Sequence, residues 1–110
     1  MKLITREKLK QKLDDGANFK LAMVLGDFAY RAKRIPGSLN VSTQEEVQKL
    51  LSTEDKIVVY CSGPKCVASI EAFYRLKAGG YINVCRYAGG IEEWEEAGYP
   101  LEGELVENDK

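Results

Sequence analysis

Two short apolar runs constrain this chain more than any other feature. "FKLAMVL" (19–25) is almost continuously apolar over the length of one strand, the pattern of a strand covered on both faces. "KIVVY" (56–60) is shorter and β-branched, and reads as a central strand of the same sheet. Helical patterns fill the intervals. "TREKLKQKLDD" (5–15) sets Leu9 and Leu13 four residues apart behind Thr5 as N-cap, with Gly16 as the stop. "DFAYRAK" (27–33) has room for one or two helical turns, and "RIPGSLNV" (34–41) is a Pro-Gly turn entering a short extended piece. "TQEEVQKLLS" carries a capping box, Thr43 with Glu46, and predicts one apolar face of Val47, Leu50 and Leu51. From Val67 to Ala78, Val67, Ile70, Phe73 and Tyr74 recur at helical spacing, Glu71 and Arg75 form an i,i+4 pair, and Gly79-Gly80 ends the helix. "YINVCRY" (81–87) is another strand and Gly89-Gly90 a turn. "IEEWEEAG" then makes a last helix with Ile91, Trp94 and Ala97 on one face. Strands alternating with helices over short connections specify one α/β domain on a mostly parallel sheet. That domain spans residues 1–101, and the polar tail 102–110 is expected to fray.

Composition narrows the function classes. At 110 residues the chain buries roughly two-thirds of the surface it exposes unfolded and needs no disulfide staples. Sixteen basic side chains against 17 acidic ones, a net charge of -1, give no basic footprint, so neither nucleic acid nor an anionic membrane is an expected partner. The opening "MKLITREKLKQKL" lacks the apolar core of a signal peptide, and no apolar stretch approaches the roughly 20 residues that span a bilayer. A reducing, cytoplasmic setting is the expectation. Histidine is absent, which removes every Ser-His, Cys-His or His-metal mechanism within this chain.

Three irregularly spaced cysteines do not make a disulfide framework. Cys61 follows "KIVVY" directly, at the kind of strand end where parallel α/β sheets bind ligands. The loop Cys61-Ser62-Gly63-Pro64-Lys65-Cys66 holds Gly63 and Pro64 and leads into a helix. Successive N–H groups can therefore form an anion nest, and the helix dipole and Lys65 would favour a thiolate. The alternative is that Cys61 only packs against the core, as buried free cysteines often do. A Walker loop is excluded by the missing Gly-x4-Gly-Lys-Ser/Thr spacing. A tyrosine-phosphatase loop is excluded because Val67 stands where the phosphate-gripping arginine belongs. Zinc is disfavoured, with four residues between Cys61 and Cys66 and Cys85 on another strand; no metal site and no cofactor is expected. Cys66 is either a resolving thiol or a small residue starting the helix, and Cys85 reads as packing.

"VVYCSGPKCVAS", "RIPGSLNV" and "GGYINVCRYAGGIEEWEEAGYPLE" together resemble a single rhodanese-like (sulfurtransferase) domain over nearly the whole chain. The resemblance implies a mostly parallel sheet of about five strands with helices on both faces. It also implies Cys61 as a nucleophile that takes sulfane sulfur from a small donor (thiosulfate, a polysulfide or a persulfide) and passes it to a thiol or cyanide acceptor. Residues Ser62, Gly63, Pro64, Lys65 and Cys66 would form the substrate-binding active-site loop. The chain departs from the common pattern at the sixth loop position, where many members carry arginine and Cys66 stands here, and at "MVLGD", where many carry Asp-x-Arg. It is closer to a Cys-x4-Cys-x2-Ser variant, as in Cys61, Cys66 and Ser69. The rival expectation, favoured by the missing arginine, is a catalytically silent module that binds a partner protein or senses redox state.

Overall fold

The computed structural model describes residues 1–106. Its elements alternate along the chain as α1 (Arg6–Asp14), β1 (Lys20–Met23), α2 (Asp27–Ala32), β2 (Leu39–Asn40), α3 (Gln44–Leu50), β3 (Lys56–Tyr60), α4 (Ala68–Ala78), β4 (Asn83–Tyr87) and α5 (Gly90–Glu96). The sheet has the order β2-β1-β3-β4, and every pair is parallel. Four strands stand where about five were expected. In place of a fifth, the amino-terminal segment makes a single parallel bridge from Leu3 to Arg86 at the β4 edge. Only Lys2 O and Ile4 N–H pair with the Arg86 backbone, because Thr5 then turns the chain into α1 as its N-cap.

Strand alternation divides the core into two layers. Leu21, Met23, Val58, Tyr60 and Tyr87 face α1, α2 and α5, packing with Leu9, Ile91 and Trp94. Ala22, Ile57, Val59 and Val84 face α3 and α4, packing with Leu51, Phe73 and Leu76. Both faces of β3 are thus buried, as its apolar run requires. The capping box on α3 forms as expected, with Glu46 N–H donating to Thr43 Oγ1 and Thr43 N–H to Glu46 Oε1.

Two helix faces differ from expectation. In α4 the buried residues are Ser69, Phe73 and Leu76, whereas Val67 and Tyr74 are exposed, and Glu71 and Arg75 form no ion pair. Helical spacing alone allowed either of two adjacent faces, and the sheet selects the one carrying Ser69. In α3, Leu51 is buried but Leu50 is 37% exposed. Of the tail expected to fray, Glu102 bridges Arg34, and Glu104 and Leu105 donate N–H groups to Arg31 and Ala32 at the end of α2. Residues 107–110 lie outside the described residues. No helix among the described residues is long and apolar enough to cross a membrane.

The Ile35-Pro36-Gly37-Ser38 turn is fastened from beneath by Tyr60. Ile35 N–H donates to its phenolic oxygen (3.0 Å), and that hydroxyl donates to Ser38 Oγ (2.9 Å), which in turn donates to Ile35 O (2.7 Å). Burial pushes the Tyr60 phenol up to about 12, so it remains a neutral donor. Tyr60→Phe leaves a buried N–H and a buried hydroxyl without this partner. We expect a loss of about 1–3 kcal/mol in urea unfolding, with an unchanged denaturant slope; a smaller loss would mean that the turn is held by its own backbone.

Candidate active site

β3 ends at Tyr60 and delivers Cys61 to the carboxyl edge of the sheet, between β1 and β4. The backbone beyond it is held by the start of α5. Ile91 N–H donates to Cys61 O (3.0 Å) and Glu92 N–H to Ser62 O (2.8 Å). A trans peptide holds its N–H opposite its C=O. With both carbonyls turned to α5, the N–H groups of Ser62 and Gly63 point away from it, and neither has a backbone acceptor among the described residues. Pro64 contributes no donor, and Cys66 N–H closes the loop onto Gly63 O (3.1 Å). This is the amide arrangement that an anion nest needs.

Gly90 makes the docking of α5 possible. Its φ is +63°, and a Cβ there would lie 2.5 Å from Cys61 O and 2.7 Å from both Gly63 N and Ser62 C, all backbone atoms that cannot swing aside. The second glycine of Gly-Gly-Ile-x-x-Trp is therefore a contact with the Cys61–Gly63 backbone as well as a turn. Further along α5, Trp94 is fully buried against Tyr87 and Tyr99 and donates its indole N–H to Pro100 O (2.8 Å).

Cys61 is 1% exposed and is joined to Cys66 as a disulfide, with Cα atoms 6.4 Å apart. Ser69 Oγ lies 3.4 Å from Cys61 Sγ, and a disulfide sulfur can only accept, so the hydroxyl donates. Behind Ser69 stands Arg86, whose Nε donates to Ser69 Oγ at 2.8 Å and whose Nη2 reaches Pro64 O at 3.4 Å. Lys65, by contrast, is exposed and forms no ion pair among the described residues. Cys85 lies on the opposite layer from the loop, packed against the α1/α5 core, and burial pushes its thiol up. A cavity of about 290 Å³ lies elsewhere, between α3, α4 and the sheet, lined by Val41, Val47, Ala72 and Tyr81 and by none of the loop residues.

The structure therefore joins Cys61 to Cys66 across the expected loop, leaves Lys65 in solvent, and adds two residues with no expected role. Ser69 was legible only as part of a spacing. Arg86 carried a signal of its own, an arginine inside an apolar strand, where a charge stays only if the interior has a use for its donors.

A family description of the rhodanese-like domain matches residues 5–97. The chain belongs to the rhodanese-like domain family. Solved structures agree with the fold. A protein from Bacillus halodurans is 26% identical, over 97% of this chain and 85% of that one, with a TM-score of 0.85. The rhodanese-like domain of an Anabaena protein is 22% identical, over 100% and 89%, with a TM-score of 0.83. A thiosulfate sulfurtransferase from Pseudomonas aeruginosa is 22% identical and matches 94% of this chain with a TM-score of 0.78, though only 20% of its own length. Among curated proteins no sequence matches.

Within this rhodanese-like domain, Gly98 serves as a control for Gly90, since its φ is +76° but nothing lies within 4 Å of a Cβ placed there. Gly98→Ala is expected to cost about 1–2 kcal/mol for the left-handed conformation alone. Gly90→Ala should cost measurably more in the same unfolding assay and should shift the amide resonances of residues 61–63. Equal losses would show that α5 and the loop separate freely.

Proposed function

We propose that the protein is a sulfurtransferase that carries sulfane sulfur as a persulfide on Cys61. The observation that carries this reading is the setting of that sulfur. It starts a loop whose first two carbonyls are taken by α5, leaving two amides without a backbone acceptor among the described residues, and it accepts a hydrogen bond from a buried hydroxyl. Those groups stabilise an anion at Cys61 without a histidine base.

The reaction begins from the dithiol, generated from the Cys61–Cys66 disulfide by a cellular dithiol that is itself oxidised to a disulfide. The Cys61 thiolate attacks the sulfane sulfur of the donor. The donor's S–S bond breaks and its electron pair leaves on the departing group, which is sulfite from thiosulfate or a shortened chain from a polysulfide. The outer sulfur of the persulfide is then attacked by an acceptor thiolate or cyanide, and Cys61 leaves as the thiolate. In the disulfide, Cys66 Sγ takes the single bond that Cys61 Sγ gives to the outer sulfur of a persulfide, so the loop already holds a second sulfur next to the first.

That placement supports reading Cys66 as a resolving thiol. A Cys66 thiolate attacking Cys61 Sγ of the persulfide forms the disulfide and expels the outer sulfur as hydrosulfide, with one proton taken from water. Absence of an acceptor thus returns the loop to its disulfide form.

After reduction and exposure to a polysulfide or thiosulfate, intact mass should show one added sulfur that cyanide removes, and Cys61→Ser should show none. A parent chain that takes up no sulfur from either donor, or a Cys61→Ser chain that loads as the parent does, overturns the assignment. Cys66→Ala should lengthen the lifetime of the persulfide and suppress hydrosulfide release without acceptor. Equal lifetimes in the two proteins would reduce Cys66 to a packing residue.

A further inference from the structure

Arg86 is 6% exposed and sits on β4 facing α4, opposite Val59 in the parallel register. Its side chain forms no ion pair with any described carboxylate. A guanidinium is always charged, and a buried charge without a counter-charge is costly unless the site offers an anion. Both of its described side-chain hydrogen bonds run to the loop assembly, one to Ser69 Oγ and one to Pro64 O. Ser69 is itself 1% exposed; accepting from Nε at 2.8 Å leaves its single hydrogen directed at Cys61 Sγ, 3.4 Å away. The three groups form one directed chain, Arg86 to Ser69 to Cys61. In the disulfide this chain ends on a neutral sulfur, so the positive charge has no opposite; in the thiolate or persulfide it ends on an anion.

We propose that Arg86 is the positioning residue that fixes the Ser69 hydroxyl on the Cys61 sulfur and supplies, from β4, the positive charge that favours its anionic form. This rests on the reading of Cys61 as the reactive thiol. The other charged and titratable groups around the loop do not take this part. Lys65 and Glu92 are exposed, and the Glu92 carboxylate lies against Gly63, where its sign opposes an anion. Glu71, in the first turn of α4, lines the cavity on the α3 side, and Asp27, at the head of α2, pairs with Arg31. Cys66 is itself a thiol. Arg86 is the buried cation, and it reaches the sulfur through a hydroxyl held in a fixed orientation.

The test is the pH dependence of alkylation at Cys61, followed by mass at the Cys61 peptide in a Cys66→Ala background, where no disulfide forms. Arg86→Gln should raise the midpoint by about one pH unit, tenfold less thiolate at pH values below it. Ser69→Ala should raise it similarly, and the double variant should add little, because the two act in series. Arg86→Lys, which keeps the charge but loses the fork, should recover part of the shift, a recovery that a purely structural role does not give. A folded Arg86→Gln protein with the parental midpoint overturns the proposal. If that variant does not fold, Ser69→Ala decides alone, an unchanged midpoint overturning it. Alkylation needs no sulfur donor, so a shifted midpoint in a chain that never loads sulfur would sink the proposed function and leave this assignment standing, and the converse result would do the opposite.

Discussion

The two hydrogen bonds from the start of α5 to the carbonyls of Cys61 and Ser62 are the contact on which the site depends. A loop leaving a strand is free to turn its peptide planes either way. Once Ile91 and Glu92 take those carbonyls, the planes are fixed and the adjacent amides face the other side. The contact is possible only because position 90 has no side chain. It persists because Ile91 and Trp94, on the same helix, are locked into the α1/α5 core with Leu9, Tyr60 and Tyr87. Burial of a tryptophan and an isoleucine, each contributing about 1.5–3 kcal/mol or more when withdrawn from water, anchors a contact of two hydrogen bonds contributing about 1 kcal/mol apiece. The apolar layer decides where α5 sits; the hydrogen bonds decide how the loop faces.

The sheet separates support from chemistry. On one face α5 sets the loop backbone. On the other, Ser69 from α4 meets the sulfur and Arg86 from β4 meets Ser69, and Val59, paired with Arg86 in register, lies on that same face. Cys61 receives its backbone geometry from one layer and its electrostatic surroundings from the other. A change in either layer is therefore felt at one atom.

Much of the fold was legible because it rests on local pattern. The run at 19–25 predicted a strand covered on both faces and that at 56–60 a central strand, and the Thr43–Glu46 capping box marked the start of α3 to the residue. The loop from Cys61 to Cys66 was legible as a place, a thiol at the end of a β-branched run before glycine and proline, while the same residues left open whether that thiol reacts or only packs. What stayed hidden depends on tertiary contact. Of the set Val67, Ile70, Phe73 and Tyr74 read from spacing, Phe73 is buried but Val67 and Tyr74 are exposed, because the approaching sheet selects the neighbouring face that carries Ser69 and Leu76. The count of about five strands came with the family resemblance and not from a run in this chain, and the amino-terminal segment makes only one bridge before Thr5 caps α1. Lys65 was weighed as the cation of the site on sequence proximity. Proximity along the chain says nothing about a neighbouring strand, and Arg86, far along the sequence, is the cation near the sulfur.

Arg86 also joins the site to the edge of the sheet. Its N–H donates to Lys2 O and its carbonyl accepts from Ile4 N–H, so the amino-terminal segment is fastened at the residue whose side chain supports the loop. Beyond β4 the sheet would otherwise end in unpaired backbone groups at this position, and a bare edge strand moves more than a covered one. Holding the Arg86 backbone from the outer side limits the motion of its Cα, and with it the placement of a guanidinium whose hydrogen bond to Ser69 tolerates only a few tenths of an ångström before it weakens. The segment at residues 2–4 turns into α1 before it can add a strand, but it pairs with the one strand position whose side chain holds the Ser69 hydroxyl against Cys61 Sγ.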